Sequence, residues 1–148
     1  WEERRSPGGR YRLAQRNMSL ALGGRKDVGT WGGGHPFDVA LVRLPGGAMN
    51  YPRHVHSSTW EYYIFCSGRG TIEIDEERHH VGPGDHVLCP PGSVHRVTNT
   101  GESDLIYYVI ADNPTSDVIF YPDSEKWMVK PQRKWFRMNE VDYYDGED

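Results

Sequence analysis

The stretch YPRHVHSSTWEYYIFCSGRG, residues 51–70, decides how this chain is interpreted. His54 and His56 are two positions apart, so on a β-strand their side chains point to the same face. Glu61 follows five residues after His56, which is the wrong parity for that face on one unbroken strand. The intervening residues 57–59 are Ser, Ser and Thr, whose hydroxyls bond nearby backbone groups and favour turns. We therefore expect two adjacent strands that bring both imidazoles and the carboxylate to one interior.

A third imidazole is placed to join this group. The segment PPGSVHRVTN has a turn at residues 90–92 and then starts a new strand at His95. Nitrogen and oxygen donors of this kind suit Fe(II), Mn(II), Ni(II) or Zn(II). We expect one divalent transition metal per chain, of unspecified identity, with positions left open for water or substrate. The predicted ligands are His54, His56, Glu61 and His95.

Tyr63 shares the predicted face of Glu61 because the two residues are two apart on a strand. Its hydroxyl makes it the one candidate for a catalytic side chain, although lining of the interior, together with Phe65, is the simpler role. Strand parity directs Arg53 and Arg96 away from the interior.

The remaining histidines carry weaker signals. His79 and His80 follow the tip of a hairpin and are expected to be exposed, and His86 is expected on a strand surface. His35 lies in a glycine-rich loop that could reach the opening of the interior.

The rest of the chain predicts an all-β fold in a single domain. Glycine and proline number 17 and 10 in 148 residues, and turn signals recur every 8 to 12 residues between short alternating segments. This rhythm is typical of an antiparallel sandwich or barrel. The alternating segments are FDVALVRL, residues 71–75, 86–89 and 95–98, and the apolar run LIYYVIA at 105–111.

We expect three regions along the chain. Residues 1–37 form an arginine-rich N-terminal arm that packs on the barrel or on a partner subunit, and residues 38–112 form the barrel. Residues 113–148 form an aromatic-rich extension that also packs on the barrel. Exposed sheet edges and these two arms favour a homodimer.

Composition excludes several partners. A net charge of −4 gives no electrostatic reason to bind nucleic acid, and no apolar run approaches the length that spans a bilayer. No charged-then-apolar leader is visible at the start of the sequence. Cys66 and Cys89 make no CxxC pair, so we expect buried, reduced thiols in a cytoplasmic protein whose partner is a small molecule.

Two sequence blocks resemble the motifs of the cupin superfamily. The pattern G-x5-HxH-x3-4-E-x6-G falls on residues 48–68, with Ala48 in place of the first glycine, and G-x5-PxG-x2-H-x3-N falls on residues 84–99. The resemblance implies a single-domain cupin, a double-stranded β-helix or jelly-roll barrel with the metal in its mouth. It also implies the four ligands named above. Position 48 shapes only a turn, so this departure leaves the metal site intact.

The C-terminal segments DVIFYPD and VDYYDGED are similar to small cupins that are sometimes labelled sugar-phosphate isomerases. Two functions follow from the resemblance. One is a metal-dependent enzyme acting on a small polar molecule, isomerase-like or dioxygenase-like, although isomerisation needs a non-ligand base that the sequence does not identify. The other is a cupin that binds a small molecule without turnover.

Overall fold

Strand pairing arranges the chain in two layers. The structure is a computed structural model that describes residues 1–147. It contains one α-helix, α1 (Met18–Ala21), two 3₁₀ turns (Thr30–Gly32 and Pro122–Ser124) and thirteen strands within the described residues. The strands are β1 (Glu2–Arg5), β2 (Arg12–Asn17), β3 (Phe37–Leu44), β4 (Val55–His56), β5 (Glu61–Ser67), β6 (Gly70–Ile74), β7 (Glu77–Val81), β8 (His86–Cys89), β9 (His95–Thr98), β10 (Leu105–Asp112), β11 (Asp117–Tyr121), β12 (Lys126–Lys130) and β13 (Lys134–Phe136).

The first layer is a six-stranded sheet in the order β1-β2-β3-β10-β5-β8. Its centre is the antiparallel pair β3 and β10, which are in register over eight residues from Leu44 opposite Leu105 to Phe37 opposite Asp112. β5 lies on the other side of β10, with Glu61 opposite Ala111. Three long central strands therefore carry the side chains that line the interior.

The second layer consists of a four-stranded sheet, β13-β12-β11-β4, and a three-stranded sheet, β7-β6-β9. A β-bridge between His54 and His95 joins them: His54 N donates to His95 O at 3.3 Å, and His95 N donates to His54 O at 2.9 Å. The expectation of a single all-β jelly-roll barrel is confirmed.

The core fills the space between the layers. Leu44 and Leu105 from the first layer and Ile72 and Val97 from the second are all fully buried. Each apolar side chain of this kind contributes roughly 1.5–3 kcal/mol on burial. This core closes one end of the barrel and leaves the histidine end for polar groups.

The turn at position 48, where the cupin motif has glycine, is compatible with alanine. Ala48 is buried in the core, and the positive φ of the turn, +71°, belongs to Gly47. Asn99 ties the neighbouring loops together, because its Nδ2 donates to Leu44 O at 2.7 Å and to Ser103 O at 2.8 Å. The departure at position 48 therefore does not disturb the barrel.

Both terminal regions contribute strands. β2 pairs with β3, so residues 2–17 extend the first layer. β11 pairs with β4 and with β12, so much of the C-terminal region builds the second layer. Tyr143 and Tyr144 are exposed, in contrast to the packing expected of these aromatic side chains. Asp148, the last residue of the predicted extension, lies outside the described residues.

Cys89 is buried as expected, and burial raises the pKa of its thiol to about 12. Cys66 is exposed, which corrects the expectation that both thiols are buried. It follows the buried Phe65 on β5, and strand alternation directs it outward.

No helix within residues 1–147 combines the length and the apolar character needed to cross a membrane.

Candidate metal centre

The four predicted ligands come together at one end of the barrel. One nitrogen from each of His54, His56 and His95 and one oxygen of Glu61 lie within 4.8 Å of one another. His56 ends β4, Glu61 begins β5 and His95 begins β9, so the chain turns between residues 57 and 60 as the parity argument requires. The three imidazoles are buried, and the Glu61 side chain is 16% exposed. This cluster is able to hold a metal ion.

Each imidazole is oriented by an acceptor on its outer side. Nδ1 of His54 contacts Pro52 O at 2.9 Å, and Nδ1 of His95 contacts Ser93 O at 3.1 Å. Because carbonyl oxygens only accept, these Nδ1 atoms carry hydrogens, and Nε2 is the nitrogen left available to a metal. Outer partners of this kind fix the tautomer and ring orientation of metal-binding histidines. The donor set therefore fits a divalent metal.

The acceptor for His56 is Asp117, which lies 2.5 Å from His56 Nδ1. Asp117 is buried and also accepts from Ser57 Oγ at 3.1 Å and from Thr59 Oγ1 at 3.0 Å. Its fourth contact is a bond from Ser58 N at 2.9 Å. Burial alone would raise the pKa of Asp117, but these donors hold it well below the ordinary value. A carboxylate thus supports one face of the cluster.

This contact changes the interpretation of the turn at residues 57–59. The sequence suggested that these hydroxyls bond local backbone. Instead, Ser57 and Thr59 donate to Asp117, about sixty residues later, and Ser57 Oγ accepts from Val118 N at 2.8 Å. The turn is therefore stabilised by contacts with β11 rather than by hydrogen bonds to its own backbone.

Glu61 is held by two donors. Tyr63 Oη donates to Glu61 Oε2 at 2.7 Å, and His95 Nε2 lies 2.7 Å from the same oxygen. Burial would raise the pKa of Glu61, but the hydrogen bond from His95 and the charges of His56 and His95 hold it well below the ordinary value. Glu61 is therefore ionised near neutral pH, as a metal ligand must be.

The histidines differ in their titration. Burial, reinforced by His95, lowers the pKa of His54 to about 3, so His54 is neutral near pH 7. Burial would also lower the pKa of His95, but the hydrogen bond to Glu61, the charge of Glu61 and the contact with Ser93 O together raise it above the ordinary value. Coordination at His95 therefore requires loss of a proton, and metal uptake by this cluster should release protons.

Tyr63 is buried beside the cluster. Burial, together with the Glu61 charge, raises the pKa of its hydroxyl well above the ordinary value. The hydroxyl therefore stays protonated, and its hydrogen bond orients the Glu61 carboxylate. The contact identifies Tyr63 as a positioning residue for Glu61.

A cavity of about 270 Å³ adjoins the cluster. One wall is the inward face of the first layer, and Tyr51, Ile119 and Tyr121 line the other side. Charged side chains line its outer part: Arg4, Lys26, Asp27, Asp38, Lys130 and Arg133. The cavity is therefore lined by apolar, aromatic and charged side chains together.

Sequence reasoning did not single out Asp117, Lys26 or Asp38. Asp38 could have been identified from the sequence. It lies two residues before Ala40 and four before Val42 on β3, so the three side chains share the inward face of the strand. Asp117 and Lys26 could not, since only the folded pairing brings them to the site.

The other candidates lie away from the cavity. His79, His80 and His86 are exposed, as expected, and Nδ1 of His86 lies 2.6 Å from Tyr62 Oη. His35 packs beside Gly24 and is not among the described residues that line the cavity.

The two arginines that flank the motifs also point away. Arg96 Nε donates to Glu73 Oε2 at 2.8 Å, and Arg53 lies 3.8 Å from Asp123.

Comparison with known proteins agrees with this geometry. Residues 40–111 match the family described as Cupin domain. The chain is 32% identical over 96 residues to 5-nitrosalicylic acid 1,2-dioxygenase from Bradyrhizobium sp, which covers 65% of this chain and 44% of that protein. It is 34% identical over 90 residues to dimethylsulfoniopropionate lyase from Ruegeria pomeroyi, covering 57% and 42%.

A similar solved structure is a cupin-superfamily sugar phosphate isomerase from Silicibacter pomeroyi, with a TM-score of 0.73 and 21% identity over 88% of this chain and 81% of that one. At this identity the likeness shows the fold. The chain spans less than half the length of the curated relatives it matches.

Proposed function

The chain belongs to the cupin superfamily, and from that premise we propose that it is a metal-dependent enzyme acting on a small polar molecule. The observation that carries the proposal is the position of the cluster. Three imidazoles, each held by an acceptor on its outer side, and an ionised carboxylate lie beside a cavity large enough for a small metabolite. A metal bound there supplies Lewis acidity and, for a redox-active metal, a site for O2.

Residues of the chain itself would orient the metal ligands and line the cavity. Tyr63 fixes the carboxylate of Glu61, and Asp117 fixes the ring of His56. Tyr51 and Tyr121 line the cavity beside the cluster. A positioned, dehydrated site strengthens every polar contact made to a bound substrate.

Two reaction classes are supported by different relatives. O2-dependent cleavage is supported by the likeness to a nitrosalicylate dioxygenase. Proton transfer next to a carbonyl, as in an isomerase or lyase, is supported by the dimethylsulfoniopropionate lyase and by the fold shared with a sugar phosphate isomerase.

Metal analysis and turnover assays test this proposal and separate the two classes. The protein purified without oxygen should contain about one transition metal per chain by elemental analysis. Iron with substrate-dependent O2 uptake from a panel of hydroxylated aromatic and aliphatic acids supports the dioxygenase class. Isomerisation or elimination without O2 uptake supports the proton-transfer class. A metal-loaded protein that binds panel members but turns none of them over would overturn the enzyme and leave a binding cupin.

We also propose that the chain forms a homodimer. Trp31 is 96% exposed and Leu22 is 77% exposed, both in the segment between β2 and β3. Apolar surface of this size is a candidate for burial against a second copy of the chain if the two side chains form one patch. Light scattering coupled to gel filtration should give twice the chain mass, and the double variant Leu22→Ser with Trp31→Ser should shift the protein toward the monomer. A monomer in the wild type would rule this out.

A further inference from the structure

Asp38 lies in line with Glu61 across the cavity wall. On the first layer, Ala111 of β10 is opposite Asp38 on one side and opposite Glu61 on the other. Residues opposite one another in a sheet share a face, and all three line the cavity. Two strand spacings separate Asp38 from Glu61, which places their Cα atoms about 10 Å apart.

The cavity wall between Asp38 and Glu61, here called the floor, carries only small side chains. Ala111 lies directly between them, and Ala40 is the next inward residue on β3. Methyl side chains leave open space where a longer side chain would fill the cavity. A ligand can therefore extend from the metal cluster toward Asp38 along this floor.

Lys26 lines the same outer part of the cavity and is half-buried. Within residues 1–147, neither Lys26 nor Asp38 forms an ion pair, whereas the neighbouring Asp27 is paired with Lys130 at 3.0 Å and with Arg133 at 3.5 Å. Burial lowers the pKa of the Lys26 amine and raises the pKa of the Asp38 carboxyl. Each group is therefore partly dehydrated and has no ionic partner of its own.

These groups have the chemistry that recognises hydroxyls. An ammonium only donates and a carboxylate only accepts, so a ligand hydroxyl, which does both, can bridge two such groups that do not pair with each other. An anionic group placed against Asp38 itself would be repelled, and an apolar chain would leave both Lys26 and Asp38 unsatisfied. The match is therefore to a neutral, hydroxylated end of a ligand.

We propose that Lys26 and Asp38 form a hydroxyl-recognition site at the far end of the cavity, and that the substrate is a polyhydroxylated acid or open-chain sugar of about four to six carbons, a length that matches the 10 Å floor. This inference rests on the proposed function, because the other end of the substrate is taken to lie at the metal cluster.

Two acids of different length test the site. Glycolate reaches only the cluster, whereas gluconate also extends its hydroxyls along the floor. By calorimetry with the metal-loaded wild-type protein, gluconate should bind about tenfold more tightly than glycolate, the value of one added charged hydrogen bond. In Asp38→Asn and in Lys26→Met this advantage should disappear, while glycolate affinity changes less than about twofold. Lys134→Met, an exposed lysine outside the cavity, is the matched control and should behave as the wild type.

The outcomes separate this site from the proposed function. Metal content is read by elemental analysis for every variant, and far-ultraviolet circular dichroism verifies folding. A wild-type protein that takes up no metal overturns the proposed function. A metal-loaded protein that prefers gluconate equally in all variants, or that never prefers it over glycolate, overturns the hydroxyl-recognition site alone.

Discussion

Replacing His95 with alanine should lower the metal affinity of the protein by more than about 100-fold, because loss of even an outer partner of a ligand costs 10–100-fold. His95 supplies one nitrogen of the cluster and contacts Glu61 at 2.7 Å. Its removal leaves two imidazoles and a carboxylate that has lost one donor. His54→Ala should have a comparable effect. Elemental analysis after dialysis against a weak chelator measures the retained metal.

The control for this experiment is His86→Ala. His86 is exposed on β8, and its ring contacts only Tyr62 among the hydrogen bonds of the described chain. This variant should retain full metal. Wild-type metal content in both His54→Ala and His95→Ala would show that the cluster is not the metal site, whatever its geometry.

Replacing Asp117 with alanine should cost about 3–5 kcal/mol of unfolding free energy even without metal, the range for breaking a buried charged network. The carboxylate accepts from the His56 ring, from the Ser58 amide and from the hydroxyls of Ser57 and Thr59. Alanine leaves the buried donors of His56 and Thr59 unpaired. Urea denaturation monitored by tryptophan fluorescence measures the change.

Asp117→Asn separates stability from metal binding. An amide oxygen can still accept from part of the network, so the stability loss should be smaller than in the alanine variant. The loss of negative charge beside His56 should still lower metal affinity about 10–100-fold. Asp123→Ala removes an exposed carboxylate that lies 3.8 Å from Arg53 and should change stability by less than about 1 kcal/mol. Equal stabilities for Asp117→Ala and Asp123→Ala would refute the role given to Asp117.

The ligands could be predicted because their information is local. The two-residue step from His54 to His56 fixes a shared face, and the turn before Glu61 resolves its parity. His95 begins a strand after a proline-glycine turn that is visible in the sequence. Strand period and turn residues act over a few positions, so they are readable without long-range pairing.

Asp117 could not be predicted because its role depends on the pairing of β11 with β4. That pairing places Ile119 opposite His56, and it brings Asp117, two residues before Ile119, against the His56 imidazole. Nothing in the segment DVIFY specifies its partner strand. The strands β1 and β2 were also not predicted, because the arginine-rich residues 1–37 indicated only an arm packing on the barrel or a partner, whereas Leu13 and Ala14 are buried on a strand of the barrel sheet.

The residues that match the cupin family do not contain the whole site. They end at 111, whereas Asp117, which orients a metal ligand, follows them, and Lys26 precedes them. Metal binding and substrate choice would then depend on different segments of the chain. Exchanging residues 1–38 for those of another small cupin should change specificity while the metal ligands are kept. A domain trimmed to residues 40–111 would lose Asp117, which orients His56, and also Lys26 and Asp38.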